Sequence, residues 1–146
     1  MSFASDVAKY AKLAGSSLDE TGRAIVLELF GSVIKDTPVK SGRAKGNWQT
    51  TIGTPASGTT DRLGEAEALA EVASESAKFG MGKVIYLANG LPYILRLEYG
   101  WSKQQPGGMA RRNAARIQSI VRKAVSDNRV QLHPIRTNRP LPIRRI

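Results

Sequence analysis

The strongest fold signal in this chain is the stretch Leu18-Asp-Glu-Thr-Gly-Arg-Ala-Ile-Val-Leu-Glu-Leu-Phe-Gly-Ser-Val-Ile-Lys-Asp36. Its large apolar residues recur at helical spacing, and they are Ile25, Val26, Leu29, Phe30, Val33 and Ile34. This period predicts a helix with a wide apolar face that packs in the core. Pro38 disfavours helical geometry at the residue before it, so we expect the helix to end near Asp36.

A second, shorter helix is predicted before this one. Apolar residues at helical spacing cover positions 3–14, and Gly15 occupies the place of a C-cap glycine. Ser17 and Glu20 then fit a capping box, in which the hydroxyl accepts a backbone amide and the carboxylate reaches back. The pattern therefore predicts two helices with a break between Gly15 and Ser17.

The rest of the chain mixes strands, helices and turns. Residues 38–45 form a turn-rich connector, and the final residues 129–146 hold three prolines and five arginines, which disfavour a helix. We predict strands at 47–53 and 83–88, and helices at 61–79, 92–99 and 109–128. The expected fold is α+β, with a small antiparallel or mixed sheet packed against amphipathic helices. One domain spans 1–130, and an extended basic arm, disordered or docked on a neighbour, spans 131–146.

Charge is distributed unevenly along the chain. Residues 1–75 carry 8 Lys+Arg against 10 Asp+Glu, whereas residues 76–146 carry 14 against 2. This polarity is typical of a protein that meets a polyanion or an acidic partner, and equally of a solvated helix face followed by a basic tail. The predicted last helix and arm carry the cations concerned, which are Arg111, Arg112, Arg116, Arg122, Lys123, Arg144 and Arg145.

The residue types needed for catalysis are scarce. The chain has no cysteine, and its one histidine, His133, lies between the last helix and the prolines of the arm. Four glutamates at 65, 67, 71 and 75 are explained as a solvated helix face better than as a cation site. We therefore expect no enzymatic activity, no cofactor and no metal site. We also expect no secretion signal and no membrane span, because no apolar run approaches about 20 residues.

Two motif segments stand out among these elements. The first is Thr37-Pro-Val-Lys-Ser-Gly-Arg43, which leads to Trp48. The second spans Asn89 to Met109. It contains Asn89-Gly-Leu-Pro-Tyr93 and Leu97-Glu-Tyr-Gly-Trp-Ser-Lys-Gln-Gln-Pro-Gly-Gly-Met109. Its aromatic residues lie between Gly/Pro turns. For Trp101 this position is typical of an interface residue, whereas Tyr93 and Tyr99 fit an interface and a core equally well.

In this order, the two segments resemble the tail-completion and neck proteins of tailed bacteriophages, which are also labelled head–tail joining or minor tail proteins. The resemblance covers about residues 18–126 and implies a structural virion protein at the neck, made in the host cytoplasm. The middle helix and the arm lie outside the pattern. The family motif and interface positions implied here are Pro38, Gly42, Arg43, Trp48, Asn89, Pro92, Tyr93, Glu98, Tyr99, Gly100, Trp101 and Pro106.

The resemblance also implies partners. We expect the chain to form a ring with itself, six-fold in preference to twelve-fold, between the head connector or adaptor and the tail terminator or tail tube. The basic residues would face packaged DNA non-specifically or bind acidic neighbours. The alternative hypothesis is a non-specific nucleic-acid-binding protein, because no sequence-reading motif accompanies the arginines.

Overall fold

The computed structural model describes residues 3–127, with side chains described from residue 18 onward. Six helices and two strands cover this part of the chain, in agreement with the predicted α+β class. In chain order they are α1 (Phe3–Asp36), α2 (Arg43–Gly46), β1 (Trp48–Ile52), α3 (Ala66–Ser76), β2 (Ile85–Asn89), α4 (Ile94–Glu98), α5 (Ala110–Ala115) and α6 (Ile117–Asp127). The predicted arm at 131–146, with His133, Arg144 and Arg145, lies outside the described residues.

The sheet is a single antiparallel pair. β1 and β2 run in register from Trp48 opposite Asn89 to Ile52 opposite Ile85. Both strands were predicted, and their observed bounds differ from the expected ones by one or two residues. The predicted sheet was antiparallel or mixed, and the observed sheet is antiparallel.

Two side chains from outside the sheet bind the edge of β1. Arg62 donates from Nη2 to the carbonyl of Trp48 (2.8 Å) and from Nε to the carbonyl of Gly46 (2.9 Å). Glu71 on α3 accepts the N–H of Thr50 at 2.7 Å and pairs with Nη1 of Arg62 at 3.3 Å. An exposed strand edge can pair with another chain. Here the two side chains bind the Trp48 carbonyl and the Thr50 N–H, which a second molecule could otherwise bind.

The core lies where α1, α3 and β1 meet. Its buried side chains are Val33, Ile34, Trp48, Ala68, Val72 and Met109. α1 packs against α3, α5 and α6, and α3 also packs against β1. The wide apolar face predicted for residues 25–34 belongs to a helix that packs against three others. Among the described residues, no helix combines the length and apolar character needed to cross a bilayer.

Helix α1 corrects the prediction of two N-terminal helices. It continues from Phe3 to Asp36 without a break at Gly15 or Ser17. A single glycine costs a helix only about 1 kcal/mol relative to alanine, and Ser and Glu are also acceptable in a helix interior. The capping-box pattern was therefore a chance match, and the predicted helix end at Asp36 was correct.

The other helices are shorter than predicted. α3 begins at Ala66 instead of residue 61, because Gly64 has a φ of 78° and Arg62 is held against β1. The last helix is divided at Arg116, whose ψ of 1° is not helical. Asn113 in α5 is fully buried and donates to Oδ2 of Asp36 at 2.9 Å, which ties α5 to the end of α1. α6 begins after the break, at Ile117.

Candidate functional site

The two motif segments, about fifty residues apart in sequence, line one groove on the surface of the protein. Residues 38–44 form one wall, and Tyr93, Leu97 and residues 101–104 form the other. The groove has a volume of about 660 Å³ and opens to solvent. This size lies within the usual range for ligand pockets. The structure thus brings together residues from both halves of the sequence pattern.

The first wall is fixed from below by Thr37 and Trp48. The Thr37 hydroxyl donates to the carbonyl of Val33 at 2.8 Å and accepts the indole N–H of Trp48 at 2.8 Å. Trp48 is only 7% exposed and belongs to the core. Its place in the motif is therefore structural: its indole binds Thr37, the residue before the buried Pro38, and it does not line the groove.

Gly42 turns the first wall back towards the body of the protein. Its φ is 85°, a left-handed conformation that favours glycine. A Cβ atom at this position would lie 2.7 Å from the backbone nitrogen of Gly64, which donates to the Gly42 carbonyl at 2.8 Å. Gly42 thereby starts the single turn of α2, which was predicted only as part of a connector. Arg43, the first residue of α2, has an exposed side chain at the groove.

Gln104 joins the two walls. Its Oε1 accepts the backbone N–H of Val39 at 2.8 Å, and its Nε2 donates to the Val39 carbonyl at 3.0 Å. The side-chain amide therefore makes the same pair of hydrogen bonds that the C=O and N–H of one partner residue make in an antiparallel β-ladder. The motif contained this residue, but it was not among the selected site positions. The available sequence signal was a serine two residues before the glutamine, which is typical of a turn. In the structure the Ser102 hydroxyl accepts the Gln104 N–H at 3.2 Å.

Glu98 holds the loop that carries the second wall. Its carboxylate accepts the backbone N–H groups of Met109 (2.9 Å), Ala110 (2.6 Å) and Arg111 (3.3 Å) at the start of α5. It also lies 3.6 Å from Nε of Arg111, and its side chain is only 12% exposed. Glu98 was proposed as a contact residue, but its carboxylate is engaged within the protein and closes the loop from Tyr99 to Gly108.

Tyr99 and Trp101 project from this loop into solvent. They are 64% and 73% exposed, which is unusual for aromatic side chains of this size. The guanidinium of Arg96 lies 5.0 Å from the Trp101 ring centre, and that of Arg111 lies 4.6 Å from the Tyr99 ring centre. Such cation–π contacts orient the rings without burying them. Both rings are therefore presented at the surface in defined positions.

The remaining motif positions shape the loop and its base. Asn89 donates to the carbonyl of Ala44 at 2.9 Å and accepts the N–H of Leu91 at 3.1 Å, which ties β2 to α2. Gly100 has a φ of 89°, and a Cβ atom there would lie 2.8 Å from the carbonyl oxygen of Pro106. Pro92 and Pro106 are exposed, and Tyr93 is half-buried at the groove.

The basic residues of α5 and α6 divide into two groups. Three are engaged within the protein: Arg111 with Glu98, Arg112 with Oε1 of Gln105 (2.7 Å), and Arg116 with Asn113 (2.8 Å) and, at 3.8 Å, with Glu28. The other two, Arg122 and Lys123, are exposed on α6 and contact no partner among the described side chains. The predicted set on one continuous helix is thus distributed over two helices on either side of the break at Arg116.

The four glutamates that were predicted to form a solvated helix face make different contacts. Glu65 pairs with Lys45 at 3.1 Å, Glu75 pairs with Lys78 at 3.1 Å, and Glu71 binds the edge of β1. Glu67 is exposed. Among the described side chains, no group of three acidic or histidine residues could hold a metal ion.

Models of protein families, curated proteins and solved structures were compared with this chain, and none of them matched.

Proposed function

We propose that this chain is a structural subunit of a bacteriophage neck, a tail-completion or head–tail joining protein that forms a ring around the DNA channel between the head connector and the tail tube. The observation that carries the proposal is the shared groove. The two motif segments on which the resemblance rests are distant in sequence, yet they line one solvent-open surface together.

The exposed rings beside this groove support a docking role. Tyr, Trp and Arg are the residue types that contribute most to protein–protein binding when a partner covers them. Tyr99 and Trp101 are oriented by arginines, and Leu95 is 66% exposed near them in α4. An apolar surface of this kind is stabilised when a partner removes it from water.

The distribution of charge supports a ring. Head-to-tail contacts between identical subunits join two different faces of one molecule, and they close when the rotation between neighbours closes. The exposed cations Arg122 and Lys123 lie on α6, whereas Glu67 is exposed on α3. α1 packs against both of these helices; α6 also ends in the exposed Asp127, so its charge is net positive, whereas α3 carries only acidic charged residues.

The decisive experiment is to disrupt this reading frame in the phage that carries it and to view the lysate by negative-stain electron microscopy. A joining or completion role predicts filled heads beside separate tails, and a role in length termination predicts overlong tails. Normal joined particles would refute the neck assignment. Complementation with wild-type protein in trans should restore joined particles and is the control for effects on neighbouring genes.

A surface variant then tests whether the exposed rings act. The double substitution Tyr99→Ala with Trp101→Ala should fail to complement, while the purified variant keeps a wild-type circular dichroism spectrum. Met81→Ala is the matched control, because Met81 is 74% exposed and lies outside the groove. Full complementation by the double variant would show that these rings are not the contact.

The second candidate is a non-specific nucleic-acid-binding protein. Arg122 and Lys123 favour it, since both are exposed on α6 and free of described partners. It predicts DNA affinity that falls steeply as salt is raised. Charge reversal should be made at these two residues and not at Arg112 or Arg116, whose internal contacts would confuse the result. A neck subunit predicts weak binding to free DNA together with self-association or partner-dependent assembly.

A further inference from the structure

The groove carries positive charge that the protein itself does not neutralise. Lys40, Arg43 and Lys103 line it, and no acidic residue does. None of these three side chains makes an ion pair or hydrogen bond with any described residue. Elsewhere on the surface, by contrast, Lys45 and Lys78 pair with glutamates at 3.1 Å. The groove is therefore electrostatically complementary to an acidic ligand.

The groove also offers a backbone edge. The N–H and C=O of Val39 are bound by the side-chain amide of Gln104, as they would be by the C=O and N–H of one residue in an antiparallel partner strand. Val39 is 47% exposed and Gln104 is exposed as well. An incoming extended chain can replace this amide with the C=O and N–H of one of its own residues at little cost, since an exposed side chain returns to water.

The groove is lined by apolar side chains as well as by cations. Tyr93 and Leu97 are half-buried in the groove, and the exposed indole of Trp101 forms its side. In an extended peptide, successive side chains point in opposite directions. One set would contact these apolar groups while the other set, if acidic, would face the lysines and the arginine.

We infer that the groove between residues 38–44 and 93–104 binds an extended acidic segment of a partner protein, which pairs with the Val39 backbone in place of Gln104. This inference rests on the proposed function, because it assigns the chemistry of the partner to the same docking surface. The partner is a different protein with alternating acidic and apolar residues.

The protein's own remaining C-terminal segment has the wrong charge for this groove. Residues 128–146 contain five arginines and no acidic residue. Most carboxylates of a second copy are also engaged, including Glu65, Glu71, Glu75 and Glu98. A nucleic acid would match the positive charge but has no peptide groups to pair with Val39.

The test uses the full-length protein labelled with ¹⁵N and three probes of matched length. They are the capped hexapeptide Glu-Val-Asp-Leu-Glu-Val, its counterpart with lysine at the three acidic positions, and a thymidine hexanucleotide. The acidic peptide should shift the Val39 amide and the Gln104 side-chain NH₂ resonances, with a Kd of about 1 mM or tighter. The lysine peptide should leave both resonances unchanged.

Matched charge reversals locate the site. Lys40→Glu with Lys103→Glu should weaken peptide binding by about tenfold or more. Arg122→Glu with Lys123→Glu changes the net charge equally outside the groove and should alter the Kd by less than about twofold, because salt screens distant exposed charges. Gln104→Ala should bind the peptide as tightly as the wild type or more tightly, since it removes the competing amide.

Several results would overturn the inference. They are no binding of the acidic peptide at millimolar concentration, equal binding of the lysine peptide, tighter binding of the hexanucleotide in the groove, or shifts confined to other surfaces. Loss of binding in a folded Gln104→Ala variant would likewise overturn the exchange of amides at Val39. Failure of these assays leaves the neck role intact, because that role is decided by the morphology of mutant particles.

Discussion

Replacement of Glu98 by alanine should destabilise the protein by releasing the start of α5. The carboxylate accepts three backbone N–H groups at the start of α5 and is 12% exposed. The N–H of Met109 belongs to a fully buried residue, so its loss of a partner costs about 1–3 kcal/mol. Ala110 and Arg111 are exposed, and water replaces the carboxylate there at a cost of about 0.5–1 kcal/mol each.

These contributions sum to about 3 kcal/mol. For a domain of this size, that corresponds to a fall in Tm of roughly 6–12 °C. Glu98→Gln keeps one carbonyl oxygen as an acceptor but loses the charge, so we expect a smaller loss of about 1 kcal/mol. Glu67→Ala is the matched control, because Glu67 is exposed on α3, and its Tm should stay within about 2 °C of the wild type.

Calorimetry and amide hydrogen exchange measure these effects. In the alanine variant, exchange at Met109 and Ala110 should accelerate more than exchange in β1, because the loop from Tyr99 to Gly108 opens locally. An alanine variant that melts with the wild type and protects the Met109 amide equally well would refute the reasoning. It would mean that the carboxylate is not the acceptor that fixes the start of α5.

Three further changes test other contacts. In urea unfolding, Trp48→Phe should cost about 2 kcal/mol, because the buried hydrogen bond of the indole N–H is lost. Trp101→Phe should cost less than about 0.5 kcal/mol. Equal losses would contradict the assignment of Trp48 to the core. Gly42→Ala should cost about 2–3 kcal/mol, because alanine is strained at a φ of 85°, and a variant with unchanged Tm would show that the turn adapts freely. Charge reversal at Arg122 and Lys123 should leave the free energy of unfolding within about 0.5 kcal/mol, and a larger loss would reveal contacts that the fold does not account for.

The elements with strong local signals were predictable. The alternation in the sequence before Gly53 identified β1, and Pro38 located the end of α1, because a proline and a two-residue period each act over a few residues. The break at Arg116 was not predictable. It lies beside the contact of Asn113 with Asp36, 77 residues earlier in the chain, and such a contact leaves no trace in helical periodicity.

The candidate site was predictable in part. The two motif segments contain the residues that line the groove, but of the selected positions only Pro38, Gly42, Arg43, Tyr93 and Trp101 line it, and the pattern did not separate residues that face solvent from those that support the fold. Trp48 and Trp101 occupy similar places in the two segments, yet one is 7% and the other 73% exposed. The roles of Gln104 and Glu98 depend on backbone groups of other segments, and residue type alone does not specify which backbone a side chain will reach.

The position of α1 has a consequence for synthesis of the chain on the ribosome. α1 is translated first, but α6, which covers one of its sides with Ile120 and Ala124, is translated last. About 90 residues separate the ends of these two helices, and at about 5–20 residues per second their synthesis takes roughly 5–20 s. During that interval α1 lacks the cover of α6, so the unfinished chain exposes apolar surface that it buries once α6 has been made.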